Sequence, residues 1–214
     1  SKLLGVGICI AGRVNPETGR SYKYFTANPQ SLSEMIESFI GHPVLIENDP
    51  RAKCYGEYSK GCTGNEKNII YLNLGRGVAI GIIVDGKIYY GRSGFAGEFG
   101  HTPFFENEII CDCGKKGCLE TEVSGIAIEN KMIAQIQKGR NTILMDKYNR
   151  TGKIHITDII HAARNDDNLS IELIEEVGEK AGKAVAFLIN TFNPETVIVG
   201  GELAEAGDYL MLPL

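Results

Sequence analysis

The chain has 214 residues, 43% of them hydrophobic and 23% charged, which suffices for one large domain or two small ones. Its formal net charge of −5 excludes a broad basic surface, so any contact with a nucleic-acid backbone is expected outside these residues. No apolar run approaches the roughly 18 residues of a membrane span, and the opening SKLLGVGICI lacks the order of a secretory leader, so a cytoplasmic protein without membrane attachment is expected.

Residues 2–10 form an almost continuous apolar run, which predicts a strand buried on both faces. AGRVNPETG follows as a turn built on Asn15-Pro16 and Gly19. Ser31 with Glu34 three residues on is a helix-capping pattern. Leu32, Met35, Ile36 and Phe39 then share one stripe of a short helix ended by Gly41. PVLIEN reads as a short buried strand ending at Asn48 and Asp49, and residues 50–58 as a helix with Pro50 in its first turn.

Three strand candidates come next, NIIYLNLG, VAIGIIVDG and KIYY, the last two joined by the hairpin signal Asp85-Gly86 into an antiparallel meander. After a cysteine-rich loop, residues 120–138 resume a helical pattern carried by Ile126, Ile128, Met132, Ile133 and Ile136. ITDIIHAARND opens another helix at Thr157 and Asp158. Residues 169–192 give the longest one, with Ile171, Ile174, Val177, Ala181, Ala184, Val185 and Leu188 in its stripe. ETVIVGG is a final strand, and LAEAGDYL starts a further helix. This order predicts a mixed α/β protein of two lobes, divided as residues 1–66 and 67–214. Both ends read as cut, because the first strand has no partner upstream and MLPL stops just after a strand-to-helix turn.

Half of the six cysteines stand in HTPFFENEIICDCGKKGCLE, spaced from His101 by ten residues to Cys111, two to Cys113 and five to Cys118. Thiolates and an imidazole are preferred ligands of tetrahedral zinc, and four of them in one loop close a structural site with no open position. Gly114 and Gly117 allow the sharp turns such a loop needs, and Lys115 and Lys116 offset thiolate charge. A disulfide and unliganded buried thiols are the competing explanations; CDC is too tight for an unstrained bridge. Cys9, Cys54 and Cys62 are expected to be ordinary buried thiols.

Glu98, His101 and Glu120 flank that loop and would be fixed by it. Asn48 and Asp49 end a strand, where ligands of α/β sheets gather. Carboxylates that accept hydroxyl protons and an amide that both donates and accepts suit a sugar. Helix capping is the plainer explanation for Asn48 and Asp49, and a solvated surface for Glu98 and Glu120.

IENDPRAKCYGE, IIYLNLGRGVAIGIIVDGKIYYGRSGFAGEFGH and CDCGKKGCLE resemble the ROK family of sugar kinases and sugar-responsive repressors, and the likeness runs from about Leu3 to the end. It implies an actin-like ATPase (ribonuclease H-like) fold of two lobes, truncated here at both ends. It also implies structural zinc on His101, Cys111, Cys113 and Cys118, and sugar held by Asn48, Asp49, Glu98, His101 and Glu120. In a kinase of this family Asp49 would be the general base, with ATP and magnesium as cofactors. The family's phosphate-binding DxGGT hairpin does not occur in these residues, and its second phosphate loop reads LGRGVAIG, where Arg76, Val78, Ala79 and Ile80 intrude among the glycines.

The expected function is therefore the effector domain of a ROK-type repressor, sensing a sugar or sugar phosphate and reaching DNA through a segment outside this chain, as a dimer or tetramer. The alternatives are an ATP-dependent hexose kinase lacking its N-terminal phosphate hairpin, and a zinc-stapled assembly module without a ligand.

Overall fold

The computed structural model describes residues 2–214. The chain divides into two compact units, one made of the residues up to Tyr71 with Ile80–Gly97, the other of Leu72–Ala79 with Glu98–Leu214.

In the first unit β1 (Val6–Ile10) pairs in parallel with β4 (Val44–Asn48), so that Ile10 lies opposite Asn48. Parallel neighbours need a crossover. It consists of a short antiparallel ribbon, β2 (Val14–Asn15) and β3 (Arg20–Ser21), followed by α1 (Leu32–Ile40). The capping box forms as predicted: Glu34 N donates to Ser31 Oγ at 3.2 Å and Ser31 N to Glu34 Oε2 at 2.9 Å. Leu32, Met35 and Ile36 of α1 pack on Val6, Ile8, Ile10, Val44 and Ile46.

That packing covers one face of the strand pair only. Contrary to expectation β1 is not buried on both faces, since Gly7 and Cys9 are exposed and Leu45 opposite Gly7 is 75% exposed. Alternation puts every second side chain on the uncovered face. Cys9 is there, and Cys62 follows the end of the next helix, so of the three cysteines expected to be buried only Cys54 is.

Cys54 belongs to α2 (Asp49–Lys60) and packs against Gly81, where an added Cβ would stand 3.0 Å from the Cys54 sulfur. A glycine at that point in β6 (Val78–Val84) lets the helix approach. β6 lies in a four-stranded sheet of order β7-β6-β5-β8, with β5 (Ile69–Leu74) wholly buried, β7 (Lys87–Ile88) and β8 (Thr196–Gly200). Asp85 and Gly86 are both left-handed, with φ of 51° and 76°, and turn β6 into antiparallel β7.

The second unit holds α3 (Glu120–Val123), α4 (Gly125–Gln137), α5 (Met145–Thr151), α6 (Ile156–Ala163), α7 (Asn168–Phe192) and α8 (Asp208–Met211). The single helix predicted over 120–138 is two helices. Ser124 is extended and caps α4 by accepting from Ala127 N at 3.1 Å, while Gly125 N donates to Gly75 O at 2.7 Å rather than within a helix. Sequence reading missed α5, which buries no residue and so has no apolar stripe. Among the described residues no helix is long and apolar enough to cross a membrane.

The longest helix, α7, starts at a buried carboxylate. Asp167 accepts from Ser170 N at 3.0 Å, Ser170 Oγ at 2.6 Å, Thr142 Oγ1 at 2.9 Å and Ile143 N at 3.0 Å, tying the loop before α5 to the helix. Burial pushes its pKa up, but these four donors prevail and hold it below 3.8. A depressed folded pKa means the contribution is complete above the ordinary value and lost as pH falls through and below it. Asp167→Ala should cost about 2 kcal/mol in urea denaturation near neutral pH, and the gap to wild type should narrow as pH falls below 3.8.

Candidate functional site

The loop of the second unit is folded around its own donors. His101 ends a short 3-10 turn, Phe99–His101, and its N–H donates to Glu98 O at 3.1 Å. Cys111 Sγ stands 3.4 Å from His101 Nδ1, and Cys113 Sγ stands 3.6 Å from Cys118 Sγ. The ligand atoms of His101, Cys111 and Cys113 all lie within 4.8 Å of one another. Donors bound tetrahedrally to zinc at about 2.3 Å for sulfur and about 2.0 Å for nitrogen would stand about 3.5–3.8 Å apart, close to the His101–Cys111 and Cys113–Cys118 separations; Cys118, however, stands beside Cys113 and lies outside the converging group of His101, Cys111 and Cys113.

Backbone geometry explains how so short a segment achieves this. Cys111 N donates to Lys115 O and Gly114 N to Cys111 O, both at 2.8 Å, with Gly114 left-handed at φ 84°. Gly117, at φ 70°, lies against the Phe105 carbonyl so closely that no Cβ would fit, and its own carbonyl accepts from Phe104 N and Phe105 N at 2.8 and 3.0 Å. Burial pushes the Cys111 thiol up to about 12; at Cys113 burial is again the largest influence, but the Lys115 N–H, the hydrogen bonds from the neighbouring thiols and the Lys115 charge together outweigh it and lower the pKa.

Glu98, His101 and Glu120 are brought together around the imidazole. Glu98 Oε2 is 3.9 Å from His101 Nε2, and Glu120 Oε1 is 3.8 Å from His101 Nδ1 and 3.8 Å from Cys111 Sγ. Their side chains are 29% and 23% exposed, which does not fit the solvated-surface alternative. Glu120 has a second task that sequence reading missed. Its Oε2 accepts the Val78 N–H at 2.9 Å, which fastens it to the glycine loop LGRGV. In that loop Gly75 N donates to Gly77 O at 3.1 Å, and a Cβ at Gly75 would lie 3.4 Å from Glu202 Oε2. Two carboxylates therefore border it.

Asn48 and Asp49 sit together in the first unit, where β4 passes into α2. Asn48 occupies the cap position of α2, yet its side chain makes no capping bond; its amide donates to Gly12 O at 2.9 Å and reaches Asp49 Oδ1 at 3.5 Å. The capping explanation thus fails for Asn48. Beside the pair lies the buried Arg51, bonded at 2.8 Å to Glu47 four residues before it, a pairing that sequence reading did not single out.

A third feature also escaped the sequence. Glu122 in α3 is buried and accepts from Asn107 Nδ2 at 2.7 Å, Lys131 Nζ at 2.8 Å and Lys180 Nζ at 2.6 Å, while Glu176 accepts from the same two lysines at 3.0 and 2.5 Å. Asn107 lies in the cysteine loop, Lys131 in α4 and Lys180 in α7, so this cluster pins the loop to both helices.

A family model described as "ROK family" matches residues 1–213. The glucokinase of Halalkalibacterium halodurans is 32% identical over 217 residues, covering 100% of this chain and 66% of that protein. The xylose repressor of Caldicellulosiruptor bescii is 34% identical over 214 residues, covering 98% of this chain and 53% of the repressor. A ROK family glucokinase from Streptomyces griseus, solved in complex with glucose and AMPPNP, superimposes with a TM-score of 0.86 at 30% identity, over 99% of this chain and 70% of that one. The chain thus spans about two thirds of a glucokinase and about half of a repressor.

Glu122→Ala would leave two lysine ammonium groups sharing one remaining carboxylate. Allowing for the partial exposure of both lysines, it should cost about 2–3 kcal/mol in urea denaturation.

Proposed function

The chain belongs to the ROK family, whose actin-like ATPase fold it has, and from that premise we propose that it is the sugar-sensing part of a transcriptional regulator. The observation that carries this reading is the glycine loop. A phosphate cradle needs several backbone N–H groups turned toward the anion. Here the Gly75 N–H is spent within the loop and the Val78 N–H on Glu120, and Glu202 adds a second negative charge nearby. Two N–H groups of the loop are thus withdrawn from a phosphate and two carboxylates border it, with Arg76 as its one cation, whereas the polar side chains suited to sugar hydroxyls are present.

In this reading the groups that recognise the sugar or sugar phosphate are Asn48 and Asp49 in the first unit and Glu98, His101 and Glu120 in the second. Glu120 contributes one oxygen, the other being engaged by Val78. His101 Nδ1 faces the sulfurs while Nε2, near Glu98, faces away from them and is able to meet a hydroxyl. We assign zinc to His101, Cys111, Cys113 and Cys118. Bound there it is a structural ion, its four positions filled by protein donors, and it stiffens the loop that carries His101 and Glu120. DNA binding is assigned to a segment outside these residues, and a homo-oligomeric assembly lets sugar binding bias the DNA-bound arrangement.

A second reading, an ATP- and magnesium-dependent hexose kinase, is favoured by one observation. Asp49 stands in the first turn of α2 with its Oδ1 3.5 Å from the Asn48 amide, a long contact that leaves a carboxylate suited to take a hydroxyl proton. Full-length protein incubated with ATP, magnesium and a panel of hexoses separates the two. The regulator reading predicts a sugar-specific rise in melting temperature without turnover; turnover at about 1 s⁻¹ or faster would replace it with the kinase. Elemental analysis of the purified chain should find one zinc per molecule, lost in Cys113→Ser/Cys118→Ser; a metal-free wild type that keeps its fold would reject the assignment.

A further inference from the structure

Arg51 is 3% exposed, and burying a guanidinium is costly unless its donors are satisfied. Its Nε donates to Glu47 Oε1 at 2.8 Å, one terminal nitrogen to Gly94 O at 2.7 Å and the other to Val14 O at 2.8 Å. The Tyr90 ring lies 5.3 Å from the guanidinium carbon, and the Tyr90 hydroxyl donates to Glu47 Oε2 at 2.9 Å. Glu47 Oε1 also accepts the Asn48 N–H at 2.7 Å, and Asn48 Nδ2 donates to Gly12 O. One planar cation therefore fastens three segments of the first unit, residues 12–14, 47–49 and 90–94, and Asn48 is held between them.

We infer that Arg51 is a positioning residue that sets the Asn48–Asp49 pair for the sugar, acting through Glu47 and the Val14 and Gly94 carbonyls without touching the ligand. The inference rests on the sugar site proposed above. Lysine keeps the charge but is a point donor that cannot reproduce the fork spanning a carboxylate and two carbonyls. A hydrophobic filler would pack the volume yet leave Glu47 without its main partner.

The test uses full-length Arg51→Lys, Arg51→Ala, Asn48→Ala and Asp49→Asn, with glucose and xylose as probes in calorimetric titration. Circular dichroism and zinc content serve as checks of fold. Arg51→Lys should bind sugar about tenfold or more weakly while keeping the wild-type spectrum and metal. Without any sugar, its Asn48 side-chain amide signal in a nitrogen-15 spectrum should shift. Ethylguanidinium should restore affinity and the amide signal to Arg51→Ala, and ethylammonium should not. An unmoved Asn48 amide in Arg51→Lys, or loss of the folded spectrum together with binding, overturns the inference in favour of a purely structural cation. Loss of sugar binding in Asn48→Ala and Asp49→Asn but not in Arg51→Lys overturns it alone. Wild-type affinity in all three overturns the sugar site itself.

Discussion

The carboxylate of Glu120 meets two demands at once. One oxygen stands beside His101 and Cys111, and the other accepts the Val78 N–H in the glycine loop. A backbone N–H given to a carboxylate is withdrawn from any phosphate, and the carboxylate's charge opposes the same ligand. This bond spans 42 residues of sequence and ties the cysteine loop to the start of β6. The proposed function depends on it, because a loop N–H engaged in this way is not turned toward a phosphate.

Around that bond the second unit is arranged to immobilise one segment. The cysteine loop is cross-braced by its own backbone, with Pro103 bridged to Cys118 and Ile110 to Lys116, and is anchored from outside by Asn107 on Glu122. Glu122 in turn is held by lysines from α4 and α7. Few side chains on a small loop can be kept in place by local bonds alone; here the anchoring passes through a buried ionic cluster into the longest helix. The first unit solves the same problem with a single guanidinium, which fastens three chain segments beside Asn48. Polar binding groups held in place before a ligand arrives lose less freedom when it binds.

What sequence reading recovered was set by local signals. The Ser31–Glu34 capping box, the Asp85-Gly86 turn and the stripe of α7 each lie within a few residues or turns; the first two formed as expected, and so did the stripe save for Ile171, which is only half-buried while Leu169 and Leu173 are buried. The cysteine spacing was legible for the same reason. What it missed was long-range. The break at Ser124 follows from Gly125 bonding to Gly75, fifty residues away; Arg51 reaches Val14 and Gly94 at separations of 37 and 43 residues, Glu120 reaches Val78 at 42 and Glu122 reaches Lys180 at 58. The burial of β1 was misjudged because apolar composition tells what a strand tolerates, whereas burial depends on what covers it; α1 covers one face and leaves Cys9 and Leu45 on the other. The resemblance to sugar kinases and repressors held, as family membership and fold. It could not separate the two activities, since a glucokinase and a repressor match this chain at similar identity, 32% and 34%.

The most direct test of the closed glycine loop is a calorimetric titration of the full-length protein with magnesium AMPPNP in the presence of glucose. The account predicts no saturable binding in the wild type. Saturable micromolar binding would show that the N–H groups of residues 75–78 are open to phosphate after all, and would contradict the assignment of this chain to sensing rather than phosphoryl transfer.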